Sequence, residues 1–123
     1  MSRFGKTSVN RLATCDARLQ QIFHEVIKEM DCTILCGHRD EAEQKKAFDS
    51  GFSKVKFPNS KHNSYPSKAV DAAPFPINWK DVQSFKKLAD IVKVKARGLG
   101  IKIKWGGDFK TLVDMPHFEL DEE

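Results

Sequence analysis

The chain alternates between two hydrophobic periods, and this alternation constrains its fold more than any other feature. Residues 14–30 carry apolar side chains at helical spacing, whereas residues 32–36, "CTILC", alternate like a buried strand. A second switch follows the helical stretch 79–97, where "GLG" ends the helix and "IKIKW" alternates as a half-buried strand. Helices and short strands in this order predict an α+β domain, with a small antiparallel sheet packed against helices.

Local signals place the remaining elements. Asp40 followed by Glu43 forms a capping-box pattern that predicts a helix ending near Gly51. Thr14 and Asn78 are the predicted N-caps of the other two helices. Residues 52–59 show no period and predict an irregular loop; "AVDAA" predicts a brief strand, "GGD" a tight turn and "TLVDMPHFEL" a final strand completing a terminal hairpin. With 123 residues, no repeat and no linker, we expect one domain over residues 1–123.

Charge and hydropathy exclude some classes of protein. No apolar run approaches the roughly 20 residues that a membrane-spanning helix needs, and the N-terminus shows no secretory signal, so we expect cytoplasmic synthesis without membrane insertion. A net charge of +4 favours an anionic partner: nucleic acid, an acidic membrane surface or a cell-wall polymer. The lysines are scattered from Lys45 to Lys110 with no aromatic-basic signature, which argues against nucleic acid.

The three cysteines fit a reducing compartment, because an odd number cannot all pair within one chain. Cys32 and Cys36 have a spacing that raises the possibility of a metal site. Their alternation with Ile34 instead predicts three side chains on one buried face of a strand. We therefore expect Cys32 and Cys36 to be core thiols.

Two stretches carry residues suited to chemistry. Residues 60–74, "SKHNSYPSKAVDAAP", have the composition of a polar surface loop, but His62 and Asp71 are also candidates to bind a common ion. In "VDMPHFEL", Asp114 and His117 stand three positions apart, and in a regular strand they would point to opposite faces. Pro116 marks a strand edge or a bulge, and a bulge can bring both side chains to one site. The alternative is a histidine capping a strand end beside a solvated aspartate.

Together the two stretches offer two histidines and a carboxylate as metal ligands, with a second carboxylate for proton transfer. Three protein ligands suit hydrolytic zinc, because the fourth position is left for water, whose pKa falls to about 7. The spare carboxylate can then accept the water proton and pass it to the leaving amine. Iron oxygenases use a similar set, but in larger all-β barrels with a different spacing, so zinc is favoured.

The motifs "S-K-H", "A-V-D", "WGGDF" and "D-M-P-H", in this order, resemble the zinc peptidase superfamily of D-Ala-D-Ala carboxypeptidases, D-Ala-D-Ala dipeptidases and phage L-alanyl-D-glutamate endopeptidases. The hedgehog signalling domain shares the fold of this superfamily. The resemblance runs from about Leu12 to Leu120, and the short form without a signal most resembles a bacteriophage endolysin. It implies the same architecture as the hydrophobic pattern, a small antiparallel sheet packed against helices.

The resemblance also implies roles for individual residues. It places one Zn²⁺ on His62, Asp71 and His117, and it makes Asp114 the general base. Arg39, from "GHRDEAEQ", matches an arginine that steadies the substrate carbonyl or carboxylate, a part that suits a fork of permanently charged donors. The residues expected to line the substrate site are Gln44, Ser60 and Trp105.

Two points remain open at this level. Arg39 has an alternative role in a surface ion pair with Asp40 or Glu43. In addition, the commonest family pattern has a glycine after the first histidine and the aspartate seven residues on, whereas Asp71 follows His62 by nine residues here. The extra residues must bulge outward, with "YP" as the expected turn, if Asp71 is to reach the metal.

The function that the resemblance implies is zinc-dependent hydrolysis of the L-alanyl-D-glutamate bond in peptidoglycan stem peptides, which lyses the host bacterium. We expect a monomer that reaches the cell wall after holin-type release and that binds no nucleic acid. Alternatives are a D,D-carboxypeptidase or D-Ala-D-Ala dipeptidase, and a zinc-bound interaction domain without turnover. A small nucleic-acid-binding protein is a third alternative, but it rests on charge alone.

Overall fold

The computed structural model of the chain describes residues 2–110 and 113–122. The helices in this part of the chain are α1 (Lys6–Leu12), α2 (Ala17–Val26), α3 (Glu41–Asp49) and α4 (Val82–Gly98). The strands are β1 (Cys32–Cys36), β2 (Ala69–Pro74), β3 (Ile103–Trp105) and β4 (His117–Leu120). Single 3₁₀ turns lie at Lys61–Asn63 and Gly106–Asp108. The predicted α+β class is confirmed.

The four strands form one antiparallel sheet in the order β1-β2-β4-β3. The last strand in the chain, β4, therefore lies inside the sheet rather than at its edge. Its pairing with β2 sets Asp71 directly opposite His117. On the other side of β2, Asp71 faces Cys36, beyond an irregularity in β1 between Ile34 and Cys36. This register places a residue of β1 on one side of Asp71 and a residue of β4 on the other.

The hydrophobic core lies between one face of the sheet and helices α2 and α4. Strand alternation directs Val70 and Ala72 of β2, together with Phe118 and Leu120 of β4, into this core. The intervening residues of both strands point to the opposite face, where Asp71 and the β4 residues 117 and 119 lie. Among the described residues, no helix combines the length and the apolar character required to cross a bilayer.

The helix starts differ from the predicted ones. Asp16, not Thr14, caps α2, since its side chain accepts a hydrogen bond from the backbone of Arg18. Thr14 instead accepts a hydrogen bond from the backbone N–H of His38 at 2.9 Å, which links the helix start to the segment after β1. The predicted capping box at Asp40 is present at the start of α3.

The long helix also starts later than predicted. It begins at Val82 with Asp81 as its cap, while Asn78 closes a separate turn upstream by accepting a hydrogen bond from Lys80. Val82 lies at the first position of the helix, and its side chain is exposed. The short α1 was not predicted. Leu12 is its single buried apolar residue, so the segment has no helical hydrophobic period.

The predicted final strand was too long. Thr111 and Leu112, which that prediction included, lie outside the described residues, and β4 begins only at His117. Residues 114–117 form a turn in which the backbone N–H of His117 donates to the carbonyl of Asp114 at 3.1 Å. Pro116 lies in this turn, directly before β4, which is an inner strand of the sheet. The expected strand edge or bulge at Pro116 is therefore wrong. The turn brings Asp114 and His117 together instead.

The core-thiol prediction is confirmed for Cys32 and wrong for Cys36. Cys15 and Cys32 are buried in the core. Cys36 is only partly buried, because the irregularity in β1 turns it away from the face of Cys32 and Ile34. It lies opposite Asp71, on the side of the sheet away from the core.

We predict that Gly37→Ala lowers the free energy of unfolding by about 1–3 kcal/mol. A methyl group at this position would collide with the Thr14 hydroxyl and the carbonyl of Arg11, and the latter is a backbone atom that cannot move freely. Urea denaturation measures the change. Gly98→Ala is the matched control, because its methyl group meets open space at the end of α4 and should leave stability equal or slightly higher. Equal midpoints for the two variants would contradict the close approach at Gly37.

Candidate metal site

Two imidazoles and one carboxylate converge on the sheet face opposite the core. The ligand-capable atoms of His62, Asp71 and His117 all lie within 4.8 Å of one another. His62 Nε2 lies 3.2 Å from Asp71 Oδ1, and His117 Nδ1 lies 3.1 Å from the same oxygen. The side chain of His62 is 2% exposed and those of the other two residues about 13–14%. This arrangement could bind a metal ion.

The far nitrogen of each imidazole is held by an acceptor. His62 Nδ1 donates to the carbonyl of Gly37 at 2.7 Å, and His117 Nε2 donates to the Glu119 carboxylate at 2.8 Å. Neither acceptor can donate a proton in return, so each far nitrogen must carry the hydrogen. The nitrogens that face Asp71 are thereby left as the ligand atoms once they are deprotonated, which is the usual arrangement of metal-binding histidines.

Glu119 is itself fixed in place. Its other oxygen pairs with Lys61 Nζ at 3.0 Å, and Lys61 also donates to the carbonyl of Leu120 at 2.8 Å. Burial opposes the charge of Glu119, but the hydrogen bonds from His117 and Lys61 lower the pKa of this carboxyl to about 2. Glu119 is therefore a permanent acceptor for His117.

Arg39 lies at the same site. Its Nη2 pairs with Asp71 Oδ2 at 3.3 Å, and its Nη1 donates to Gln44 Oε1 at 3.2 Å. Asp40 and Glu43 are occupied by their mutual capping box. The alternative surface ion pair of Arg39 is therefore wrong, and the guanidinium faces the imidazole–carboxylate cluster.

Gln44 organises the surroundings of Arg39 without lining the site. Its Oε1 accepts hydrogen bonds from Arg39 and Asn63, and its Nε2 donates to Ser53 Oγ and the carbonyl of Val55, both at 2.8 Å. The side chain is fully buried with its polar atoms satisfied inside the protein. The prediction that Gln44 lines the substrate site is therefore wrong. Its side chain is buried inside the protein, where it holds Arg39 in position.

A groove of about 570 Å³ opens above the cluster. One wall comes from residues 51–55 and 59–62, which include Ser60, and the other from Phe109, Val113 and Asp114. Ser60 lines this groove, and its hydroxyl also accepts a hydrogen bond from the backbone of His62 at 3.2 Å. Trp105 does not line this groove. Its side chain is largely buried, its indole N–H donates to the carbonyl of Met115 at 2.7 Å, and it lines a neighbouring groove instead.

Asp114 is positioned by its backbone. Its N–H donates to the carbonyl of Gly106 at 2.9 Å, and a side chain at Gly106 would collide with the carbonyl of Asp114. The glycine of "WGGD" is thus required for a close approach of two segments. Burial, and then the negative charge of Asp71, raise the pKa of the Asp114 carboxyl. A raised pKa suits a group that takes up and releases a proton near neutral pH.

Charge couples the two imidazoles to Asp71. Burial opposes ionisation of all three groups, but their mutual hydrogen bonds and opposite charges outweigh it. The pKa of His62 rises to about 10 and that of His117 to about 9, while the pKa of Asp71 lies well below its usual range. A metal ion that binds here must therefore displace protons from both imidazoles.

Two neighbours of the site escaped the reading of the sequence. Glu119 stands two residues after His117 in "HFE", and residues two apart in a strand point to the same face of the sheet. This spacing could have identified Glu119 as a neighbour of His117. Cys36 gave no such signal, because its position depends on the irregularity in β1. Burial opposes ionisation of this thiol, but the neighbouring His62 imidazole, and then the charge of Arg39, lower the pKa of Cys36.

Comparisons with known proteins agree with this geometry. Residues 1–121 match the family model described as phage L-alanyl-D-glutamate peptidase. The chain is 31% identical to the L-alanyl-D-glutamate peptidase of Escherichia phage T5 over 117 residues, which is 91% of this chain and 85% of that protein. Its structure matches the crystal structure of the Serratia marcescens L-Ala D-Glu endopeptidase ChiX with a TM-score of 0.83 and 26% identity. That match covers 98% of this chain and 91% of ChiX.

We predict that protein stripped of metal by a chelator loses stability as the pH rises from about 6.5 to 10. Both imidazoles have folded-state pKa values above their ordinary 6.5, so their ion pairs with Asp71 contribute fully below that pH and disappear as the pH rises through about 9 to 10. Denaturation midpoints across this range measure the effect. Asp71→Asn is the control, because an amide removes the largest of the contributions that raise both pKa values. Wild type and control with parallel pH profiles would contradict the ion pairing.

Proposed function

The chain belongs to the phage L-alanyl-D-glutamate peptidase family, and from this premise we propose that it is a zinc-dependent endopeptidase. Its substrate would be the bond between L-alanine and D-glutamate in the stem peptides of bacterial peptidoglycan, and its role would be lysis of the host. The observation that carries the proposal is the convergence of His62, Asp71 and His117 at a groove that Asp114 also lines.

The donor set fits zinc. Zinc binds nitrogen and oxygen ligands at about 2.0–2.2 Å, so neighbouring ligand atoms of a tetrahedral site lie ~3.4 Å apart. The two imidazole nitrogens lie 3.2 and 3.1 Å from Asp71 Oδ1, close to that separation. His62, Asp71 and His117 would therefore hold the ion, which supplies a Lewis acid that activates water near neutral pH.

Asp114 is the proposed general base. It lines the groove beside His62 and His117, and its raised pKa lets it accept a proton from the attacking water and return it to the leaving amine. Arg39 is the proposed electrostatic partner of the substrate. Two of its five N–H donors are used by Asp71 and Gln44, which leaves others for the oxygen that becomes negative during attack.

The alternatives are weaker. A D,D-carboxypeptidase or a D-Ala-D-Ala dipeptidase could use the same side chains, but the similar proteins from phage T5 and Serratia marcescens are both named for the L-Ala–D-Glu bond. A zinc-bound interaction domain has no use for a partly buried carboxylate with a raised pKa beside the ligands.

We also propose synthesis in the host cytoplasm, holin-type release to the wall and action as a monomer. The positive net charge would favour the anionic wall.

Digestion of purified peptidoglycan tests the reaction. We expect new D-glutamyl amino termini and L-alanyl carboxyl termini by mass spectrometry, loss of hydrolysis with a chelator, and recovery with zinc. Asp114→Asn should retain zinc but lose roughly 100-fold or more of the rate, whereas the exposed Asp90→Asn should behave like wild type. Free D-alanine without new D-glutamyl termini would contradict the assignment.

A second experiment tests Glu119 as the residue that positions His117. Glu119→Ala should weaken zinc binding roughly 10- to 100-fold, because the imidazole loses the acceptor that fixes its orientation. Glu119→Gln should be affected less, since its amide oxygen still accepts a hydrogen bond. Competition with a chromogenic chelator measures affinity without reference to catalysis. Glu122→Ala, which removes an exposed carboxylate paired with Lys68, is the control. Equal zinc affinity of Glu119→Ala and this control would refute the role.

A further inference from the structure

A second groove lies beside the metal-site groove, between the last turns of α4 and the edge strand β3. It has a volume of about 660 Å³ and an apolar lining that includes Ile101, Ile103 and Trp105. Four cationic side chains line it, those of Lys93, Arg97, Lys102 and Lys104. We call it the cationic groove. None of the residues to which we assign a metal or catalytic role lines it.

The charges of the cationic groove are only partly neutralised. Lys93 pairs with Asp108 at 2.7 Å, and Lys104 pairs more loosely with Asp121 at 3.6 Å. Arg97 and Lys102 are exposed and form no ion pair within residues 2–110 and 113–122. Two cations thus remain available to a ligand, next to apolar side chains that can contact its hydrocarbon portions.

The two grooves meet at Phe109, which lines both. The ring of Phe109 lies 5.9 Å from the ring of His117, measured between centroids. Trp105 joins the floor of the cationic groove to the turn before β4 through its hydrogen bond to Met115. An extended ligand whose reacting bond lies above His117 can therefore pass Phe109 and enter the cationic groove.

We propose that the cationic groove binds the carboxylate-bearing part of the stem peptide that follows the scissile bond, held by Arg97 and Lys102. This inference rests on the proposed function. Cleavage between alanine and glutamate leaves glutamate on the departing side, and glutamate keeps one free carboxylate after its two peptide links are made. The other side of the bond leads to the glycan, which supplies no peptide carboxylate. A peptide with acidic groups and short aliphatic segments matches cations above an apolar floor.

The test compares Arg97→Ala/Lys102→Ala with Lys86→Ala/Lys87→Ala. The control pair removes the same charge from exposed positions of α4 that line neither groove. Two synthetic substrates are used: a short one that ends in D-glutamic diamide, and a long one that continues through further residues with free carboxylates. For the long substrate we expect the groove variant to raise KM about 3- to 10-fold with little change in kcat, as two weak exposed ion pairs would. Both variants should process the short substrate like wild type.

The outcomes separate this inference from the proposed function. If the wild type cleaves neither substrate, the proposed function fails. If the wild type cleaves both and the two variants have equal KM for the long substrate, the inference fails and the proposed function stands. The inference also fails if the variant's defect appears only on intact walls and vanishes when phosphate-bearing polymers are removed, since the groove would then bind phosphate. Equal zinc content and denaturation midpoints confirm that both variants are folded.

Discussion

The rest of the site depends on the interactions that the carboxylate of Asp71 makes with its neighbours. One oxygen contacts both imidazoles and the other contacts Arg39, so a single negative charge holds three groups that would repel one another as cations. This arrangement needs the pairing of β2 with β4, which sets Asp71 opposite His117. A register slip of one residue would exchange His117 for Phe118 on this face and dismantle the cluster.

Much of the fold could be predicted because hydrophobic period and helix caps are local properties. The apolar stripe of α2, the capping box of α3 and the alternation of β1 each determine their element from neighbouring residues alone. The errors arose where tertiary contacts decide. Helix α1 is held by Ser8, whose hydroxyl accepts a hydrogen bond from the backbone of Ile34, and by Arg11, which donates to the carbonyl of the same residue. Such contacts, 23 and 26 residues apart, leave no period in the sequence.

At the site, the candidate metal ligands could be predicted more fully than the residues around them. The patterns singled out His62, Asp71 and His117 because their chemistry and order resemble a known motif, and the structure brings these side chains together. The walls and supports were only partly predictable, because a side chain's direction depends on the fold. Gln44 points into the protein and satisfies four hydrogen bonds there, and Trp105 faces the second groove. A polar or aromatic residue near a motif can thus be a buried support rather than a contact surface.

The long spacing between His62 and Asp71 shows why the cluster tolerates insertion. His62 is fixed independently of the segment that follows it, since its backbone carbonyl accepts from Arg39 at 2.8 Å and its ring donates to Gly37. The chain returns to the sheet through backbone hydrogen bonds at residues 67 and 68. Between these anchors Tyr65 projects outward, 71% exposed. Extra residues therefore lengthen a loop whose two ends are already held, and loop closure costs little more for two residues. The direction of Asp71 is set by strand pairing rather than by the loop, so its distance from His62 is preserved.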